Sequence, residues 1–168
     1  MKRVLLIGSN GFIGRHMREA LSGYDLACAD TGFGSEADYH RIDVTKYEEV
    51  KAVLDTVKPD TVINLAGEYG ILNGEQHPAK CVDVNITGAL YLSMLCAERG
   101  IRLVQFSTGD VFGDLFTEDA VMTDDVTVPV TAPRNVYSLT KLVGEAVVKQ
   151  YREHYGLDAS IVRPFMIY

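Results

Sequence analysis

The sequence has no excess of positive charge. Its 168 residues include 16 lysines and arginines against 23 aspartates and glutamates, a formal net charge of −7. We therefore expect no nucleic-acid partner, because no basic stripe is available to neutralise phosphates. The sequence also lacks an apolar run near the ~20 residues that cross a bilayer, so we expect no membrane partner. The apolar segment 4–7 is too short for a signal-peptide core, and Gly8 interrupts it.

Metal-ligand patterns are missing too. The three cysteines, Cys28, Cys81 and Cys96, are odd in number and have no ligand spacing. We interpret them as small buried hydrophobic residues in a reducing compartment, and we expect a cytoplasmic location. The four histidines are His16, His40, His77 and His154. They form no cluster with ligand spacing, so we predict no metal site.

Strand-like and helix-like segments alternate along the chain. The predicted strands are 3–7, 24–29, 39–42, 61–65, 101–106 and 159–162, and the predicted helices are 12–21, 45–57, 78–99 and 135–155. This alternation predicts an α/β fold, a doubly wound parallel sheet with right-handed crossovers. The length is that of about one domain, so we treat residues 1–168 as a single unit.

Local signals set several boundaries within this pattern. Thr45 followed by Glu48 predicts a capping box at a helix start, and Gly100 and Gly156 predict helix ends. Residues 67–74 are predicted to be a loop. Residues 109–134 are predicted to be loop-rich, and loops of that length are usually functional or mobile.

A glycine-rich segment, GSNGFIG, occupies residues 8–14 between the first strand and the first helix. Its Gly-x-x-Gly-x-x-Gly spacing lets backbone N–H groups approach a phosphate, because glycine has no Cβ and tolerates positive φ. The helix that follows adds the positive end of its dipole. The segment predicts a pyrophosphate site, although glycines in a tight strand-to-helix turn can serve geometry alone.

Asp30 ends the second predicted strand, 16 residues after Gly14. A carboxylate at this place can accept hydrogen bonds from both hydroxyls of an adenosine ribose, and it repels a 2′-phosphate. We therefore predict NAD rather than NADP as the cofactor. The alternative is an ordinary aspartate at the start of a loop.

Tyr137 and Lys141 are four residues apart on one predicted helix, so their side chains share a face. A tyrosine normally titrates near ~10. An adjacent ammonium and a positive nicotinamide ring favour the phenolate, which predicts a lowered pKa and a base for a substrate hydroxyl. Ser107 and Thr108 follow the fifth strand, where a hydroxyl can share the substrate oxygen's hydrogen bond. The alternatives are a solvated Lys with a half-buried Tyr, and capping hydroxyls.

Taken in order, the motifs resemble the extended short-chain dehydrogenase/reductase family, the NAD-dependent sugar-nucleotide epimerases and dehydratases. The segments that carry the resemblance are GSNGFIG (8–14), DV (43–44), NLAG (64–67), VNITG (84–88), STGDVFG (107–113), YSLTK (137–141) with GE (144–145), and RPFMIY (163–168). The resemblance implies that Thr108, Tyr137 and Lys141 form a catalytic triad in which Tyr137 is the base. The residues expected to bind the cofactor are Gly8, Asn10, Gly11, Phe12, Ile13, Gly14, Asp30, Asp43, Val44, Leu65, Ala66, Gly67, Asn85, Tyr137, Lys141 and Pro164.

The resemblance implies a nucleoside diphosphate sugar as substrate and epimerisation through a transient keto sugar. Alternatives are 4,6-dehydration, reduction of a 4-keto sugar, or a non-catalytic NAD-binding sensor or scaffold. Dehydratases of the family carry an Asp-Glu pair after the threonine, where this sequence has Gly109 and Asp110. The missing aspartate argues against dehydration, while Asp110 remains a candidate acid or base. Asn64 and Gly67 replace a usual histidine and alanine and do not separate substrates.

Members of the resembled family continue into a further strand and a small substrate-binding domain. The resemblance therefore implies that residues 1–168 are an NAD-binding Rossmann-like domain, truncated before the substrate-binding region. We expect this chain to bind NAD and to turn over little substrate by itself. The resemblance also implies a homodimer in which the two long helices form a four-helix bundle. Four apolar residues could face either the partner or the sheet, namely Leu90, Met94, Val143 and Val147.

Overall fold

A computed structural model describes residues 2–115, 123, 126–165 and 167 of the chain. Six parallel strands form one sheet in the order β3-β2-β1-β4-β5-β6. The strands are β1 (Arg3–Ile7), β2 (Asp25–Asp30), β3 (Tyr39–Arg41), β4 (Thr61–Asn64), β5 (Arg102–Phe106) and β6 (Ala159–Val162). The strand order reverses between β1 and β4, so the predicted doubly wound α/β fold is confirmed.

Helices cover both faces of this sheet. They are α1 (Phe12–Ala20), α2 (Tyr47–Val57), α3 (Ile71–Gln76), α4 (Pro78–Val82), α5 (Gly88–Arg99) and α6 (Val136–Tyr155). A π-helical segment, Asp83–Thr87, joins α4 to α5, and a 3₁₀ segment, Gly109–Leu115, follows β5. Gly100 and Gly156 end α5 and α6 in the left-handed conformation, as predicted. Among the described residues, no helix combines the length and apolarity needed to cross a membrane.

The core lies on both faces of the sheet, because alternate side chains of each strand point to opposite sides. In β1, Leu5 and Ile7 pack into the larger cluster with α2 and α5, whereas Val4 and Leu6 pack into a smaller one with Met17 of α1. The continuous apolar run of β1 is therefore buried on both faces. Because the strands are parallel, their carboxyl ends lie along one edge of the sheet.

The start of α2 differs from the prediction. Thr45 does not cap the helix: its backbone N–H and its hydroxyl both donate to Asp43 Oδ1, at 2.9 and 2.8 Å. Glu49 rather than Glu48 reaches back, accepting the N–H of Asp43 at 2.7 Å. The predicted capping box is wrong, because Thr45 is hydrogen-bonded to Asp43 in a local turn instead. The helix begins at Tyr47 without a side-chain cap.

Two further segments differ. The predicted loop 67–74 contains the start of α3, a short helix that Gly74 holds against Tyr137: a Cβ on Gly74 would lie 3.1 Å from the Tyr137 N. The predicted helix 78–99 is interrupted by the π-helical segment. Of the predicted loop 109–134, residues 116–122 and 124–125 lie outside the described part of the chain.

Candidate active site

A cleft of about 850 Å³ opens where the carboxyl ends of the central strands meet the helices. Most of the predicted site residues line it. These are Gly8, Asn10, Gly11, Phe12, Ile13, Gly14, Asp30, Asp43, Val44, Leu65, Ala66, Gly67, Thr108, Tyr137, Lys141 and Pro164. Asn85 and Asp110 are not among the lining residues. Such an edge is the usual ligand position in a parallel sheet with a reversal of strand order.

The glycine loop forms a cradle that side chains would fill. Gly8 has φ 82°, and a Cβ there would lie 2.7 Å from the backbone N of Ala66. A Cβ on Gly14 would collide with the carbonyl oxygen of Gly8. Helix α1 then begins after Gly11 with no side-chain cap. The cradle and the positive end of α1 therefore fit the pyrophosphate of a dinucleotide.

Asp30 is fixed at the end of β2. Its Oδ2 accepts the N–H of Asn10 at 2.9 Å, and its Oδ1 accepts the N–H of Thr31 at 2.7 Å. The Asn10 amide donates to the Phe33 carbonyl and to the Tyr39 hydroxyl, both at 3.1 Å, which ties the loop after β2 to the glycine loop. Oδ1 also accepts the Thr31 hydroxyl at 3.3 Å, whereas Oδ2 keeps a second lone pair with which Asp30 can accept a ribose hydroxyl.

Asp43 and Val44 form the wall beyond β3. Asp43 is held by the turn with Thr45. Val44 contacts α5 at Gly88, where a Cβ would lie 2.9 Å from Val44 Cγ2. Glycine at position 88 therefore lets the helix approach this wall closely.

Tyr137 and Thr108 both line the other end of the cleft. Burial raises the pKa of Tyr137, and the neighbouring Thr108 hydroxyl opposes that rise only in part. In the chain by itself, the pKa thus moves opposite to the predicted direction. Burial of the phenol therefore favours its neutral form in the chain by itself.

Lys141 lies one helical turn after Tyr137, and it is buried. Its Nζ donates to the carbonyl oxygen of Phe106 at 2.8 Å. Burial lowers the pKa of Lys141 to about 8, and the nearby carboxylate of Glu145 opposes this. A Cβ on Gly67 would lie 3.1 Å from Nζ, so the loop after β4 lies directly against the ammonium.

Asn85 is buried behind the cleft wall, in the π-helical segment. Its Oδ1 accepts the N–H of Glu68, and its Nδ2 donates to the carbonyl oxygen of Glu68 and to Thr140 Oγ1, each at 3.0 Å. The side chain contacts protein groups on every polar atom. π-Helical turns inside helices are frequent at functional sites, and this one lies directly behind the cleft.

Asp110 lies in an exposed position after Thr108, and its N–H donates to Thr108 Oγ1 at 3.2 Å. The preceding Gly109 packs under an aromatic ring: a Cβ there would lie 2.6 Å from Phe165 Cδ1. The Gly109 N–H donates to the carbonyl oxygen of Pro164 at 2.8 Å, which holds Pro164 at the cleft. Residues 166 and 168 of the predicted RPFMIY motif lie outside the described residues.

Sequence reasoning missed an ion pair in the cleft wall. Glu68 Oε2 and Lys80 Nζ are 2.7 Å apart, and both residues line the cleft. Burial acts to raise the pKa of Glu68, but hydrogen bonds from Lys80 and Asn73 hold it below its usual value. No motif marks these residues. Only the fold brings the loop after β4 next to α4.

Comparisons with known proteins agree with this geometry. A family model described as "NAD dependent epimerase/dehydratase family" matches residues 4–168. GDP-6-deoxy-D-mannose reductase of Pseudomonas aeruginosa is 29% identical over 98% of this chain and 52% of its own length. UDP-glucuronate 4-epimerase of Thermodesulfobacterium geofontis is 33% identical over 77% of this chain and 39% of its own length.

Among solved structures, UDP-glucose 4-epimerase of Thermus thermophilus in complex with NAD superimposes with a TM-score of 0.85. It is 26% identical, and the match covers 96% of this chain and 54% of that one. The chain therefore spans about half the length of the relatives it matches.

Proposed function

We propose a reaction for this chain on one premise: it belongs to the NAD dependent epimerase/dehydratase family, whose model matches residues 4–168. The proposed reaction is the NAD-dependent oxidation of a sugar carbon in a nucleoside diphosphate sugar, followed by epimerisation and return of the hydride. The observation that carries the proposal is that one cleft brings the glycine cradle together with Thr108, Tyr137 and Lys141. The names of the relatives given above are those of nucleotide-sugar enzymes, which supports this substrate class.

Different residues of the chain bind different parts of the cofactor. The cradle from Gly8 to Gly14 holds the pyrophosphate, and Asp30 accepts the ribose hydroxyls of the adenosine end. Asp43 and Val44 line the adenine side. Lys141 donates to the ribose at the nicotinamide end. When bound, NAD supplies the acceptor for a hydride from the substrate carbon and gives the hydride back.

Tyr137 and Thr108 handle the proton. Thr108 donates a hydrogen bond to the substrate oxygen and keeps it beside Tyr137. As the carbon loses a hydride, the ionised Tyr137 oxygen takes the hydroxyl proton, so the alcohol becomes a ketone with no net change of charge on the sugar. The same phenol returns that proton when hydride is delivered to the opposite face. The Lys141 ammonium stabilises the phenolate between these steps.

Epimerisation is favoured over dehydration by the packing at Gly109. The dehydratases that the sequence resembles carry an acid pair after this threonine for the loss of water, whereas here position 109 is glycine, and a Cβ there would lie 2.6 Å from the Phe165 ring. Asp110, the other candidate acid, is exposed and outside the cleft lining. Reduction of a 4-keto sugar is a second candidate, because the Pseudomonas aeruginosa reductase matches nearly the whole chain. A non-catalytic sensor has no need for a base, so the presence of Thr108, Tyr137 and Lys141 in one cleft argues against that alternative.

The test uses Tyr137→Phe beside the parent chain. Calorimetry is expected to show NAD binding to both, because the phenol oxygen is not in the cradle. Mixing the NAD-loaded parent with UDP-, GDP- or dTDP-hexoses is expected to give a small amount of reduced nicotinamide absorbance, and the variant none. Absence of NAD binding in the parent would overturn the proposal.

We also propose a homodimer through α5 and α6, which pack side by side. The four residues in question, Leu90, Met94, Val143 and Val147, all keep exposed surface. They flank fully buried neighbours such as Leu92 and Val148 that face the core. Sedimentation of Met94→Asp against the parent tests the pairing, since a charge at the centre of a helical interface favours the monomer.

A further inference from the structure

Thr140 lies behind the cleft, on the turn of α6 between Tyr137 and Lys141. Its side chain is buried, with the residue only 3% exposed. The hydroxyl donates to the carbonyl oxygen of Tyr137 at 2.8 Å and accepts from Asn85 Nδ2 at 3.0 Å. The Thr140 hydroxyl therefore donates its only hydrogen to a carbonyl of α6 and accepts a hydrogen bond from Asn85 in the π-helical segment.

Asn85 continues the connection to the loop after β4. Its amide exchanges two hydrogen bonds with the backbone of Glu68, both at 3.0 Å. That loop also carries Gly67, which contacts Lys141 Nζ. A continuous set of hydrogen bonds thus runs from the cleft loop to the carbonyl of Tyr137. We name the four connected residues, Glu68, Asn85, Thr140 and Tyr137, the α6 strap.

Backbone contact supports the strap. A Cβ on Gly144 would lie 2.6 Å from the carbonyl oxygen of Asn85, so α6 and the π-helical segment touch directly on this face. A threonine hydroxyl that bonds the carbonyl three residues earlier is common in helices and by itself positions nothing. Here the same hydroxyl is the acceptor for a buried amide. Removing it leaves Asn85 Nδ2 one acceptor short in a place closed to water.

We propose that Thr140 is a positioning residue, which through Asn85 fixes the turn of α6 bearing Tyr137 and Lys141 against the cleft loop. The inference rests on the proposed function, in which Tyr137 exchanges a proton with substrate. Proton transfer needs oxygen atoms within ~2.6–3.2 Å of each other, and a displacement of about 1 Å can reduce a rate about 100-fold. A strap on the Tyr137 carbonyl limits this displacement.

The test compares Thr140→Val with Thr140→Ser. Valine keeps the shape and removes both the donor and the acceptor, whereas serine keeps the hydroxyl and removes a methyl group. The first readout is hydrogen exchange of the Glu68 amide in the ligand-free chain. The second is the ultraviolet titration of Tyr137 in the presence of saturating NAD, obtained as the difference from Tyr137→Phe. Unfolding midpoints of all variants are measured alongside.

In Thr140→Val we expect the Glu68 amide to exchange about tenfold faster, while β1 amides keep their protection. We also expect its Tyr137 titration in the NAD complex to move upward by about 0.5 pH units, because the phenol is held less firmly beside the Lys141 cation. Thr140→Ser is expected to match the parent in both readouts.

Equal exchange of the Glu68 amide in all three proteins overturns the strap. Faster exchange in Thr140→Val with an unchanged Tyr137 titration shows a structural strap that positions nothing, and also overturns the inference. A parent whose Tyr137 titration does not respond to NAD overturns the proposed role of Tyr137 instead, and with it the positioning role of Thr140. Hydrogen exchange of the Glu68 amide distinguishes failure of the strap from failure of the proposed function, because it is measured in the ligand-free chain and does not depend on the reaction.

Discussion

Glu145 and Arg163 form a two-point ion pair inside the protein. Arg163 Nε donates to Glu145 Oε1 at 2.8 Å, and Nη2 donates to Oε2 at 2.6 Å, while Glu145 is 1% exposed. Glu145 lies one turn after Lys141 on α6, and Arg163 directly follows β6. The pair therefore joins α6, which carries Tyr137 and Lys141, to the end of β6. Pro164, the residue after Arg163, lines the cleft.

Breaking this pair is predicted to destabilise the fold. Glu145→Gln removes the carboxylate charge that faces the Arg163 guanidinium in a buried setting, and we expect the free energy of unfolding to fall by about 3 kcal/mol. Urea denaturation measures the difference. Lys149→Met is the matched control, since Lys149 is 3.5 Å from the same carboxylate and its side chain is 46% exposed. Its loss should change the free energy by no more than ~0.5 kcal/mol. Equal effects of the two substitutions would refute the assignment.

The effect of Glu145→Gln is also predicted to depend on pH. Burial acts to raise the pKa of Glu145, but the Arg163 hydrogen bonds and charge hold it below the usual value of 4.5. A depressed carboxyl pKa contributes stability above the unfolded pKa and loses it as the pH falls through the folded value. The gap between the parent and Glu145→Gln should therefore narrow below pH 4.5. A gap that stays constant into acid would contradict this.

Asp30 is predicted to set the preference for NAD. Asp30→Ala removes the acceptor for the ribose hydroxyls and the charge that repels a 2′-phosphate. We expect NAD affinity to fall about tenfold and NADP affinity to rise by a similar factor, which amounts to about 1.4 kcal/mol in each direction. Calorimetric titration of both dinucleotides measures the ratio.

Asp43→Ala serves as the control for Asp30→Ala. Asp43 also lines the cleft, but it lies beyond β3 and is occupied by the Thr45 turn. Its loss should weaken both dinucleotides by the same factor, because the adenine end is common to them. A change in the NAD to NADP ratio in this variant, or none in Asp30→Ala, would show that another group discriminates between the cofactors.

Features encoded locally could be predicted from the sequence. The apolar run of β1, the glycine spacing of residues 8–14 and the glycines that end α5 and α6 each specify their own conformation, and the fold follows from their alternation. The motif residues Tyr137 and Lys141 could be paired because the helical repeat puts them on one face.

Features that arise from packing could not be predicted in the same way. Helix α3 has no clear apolar period and forms where Gly74 meets Tyr137. The family resemblance assigns Asn85 to the cofactor, but its polar atoms are taken by Glu68 and Thr140, which only the fold brings near it. The raised pKa of Tyr137 has the same origin, since burial is a property of the assembled cleft rather than of the motif.

Gly8 is predicted to be intolerant of any side chain. In Gly8→Ala the methyl group would stand 2.7 Å from the Ala66 N, and the residue would keep a φ of 82° that alanine disfavours. We expect a loss of about 2–4 kcal/mol from strain and overpacking together, and a loss of NAD binding. Gly23→Ala is the control, because a Cβ there meets nothing within 4 Å. Thermal unfolding that shifts equally in both variants would contradict the cradle geometry.

Lys141 is predicted to link NAD affinity and stability to pH in opposite directions. Burial lowers its pKa to about 8, so the ammonium that we propose donates to the cofactor ribose is lost above that pH. We expect NAD affinity to fall by up to about tenfold per pH unit beyond it, and to be flat in Lys141→Met.

A lowered lysine pKa means that the unfolded chain binds more protons between about 8 and 10.5. The parent should therefore gain stability relative to Lys141→Met across that window, because the cost of burying the cation disappears as it deprotonates. Calorimetry and urea denaturation at matched pH measure both trends, and parallel curves for the two proteins would show that another group titrates.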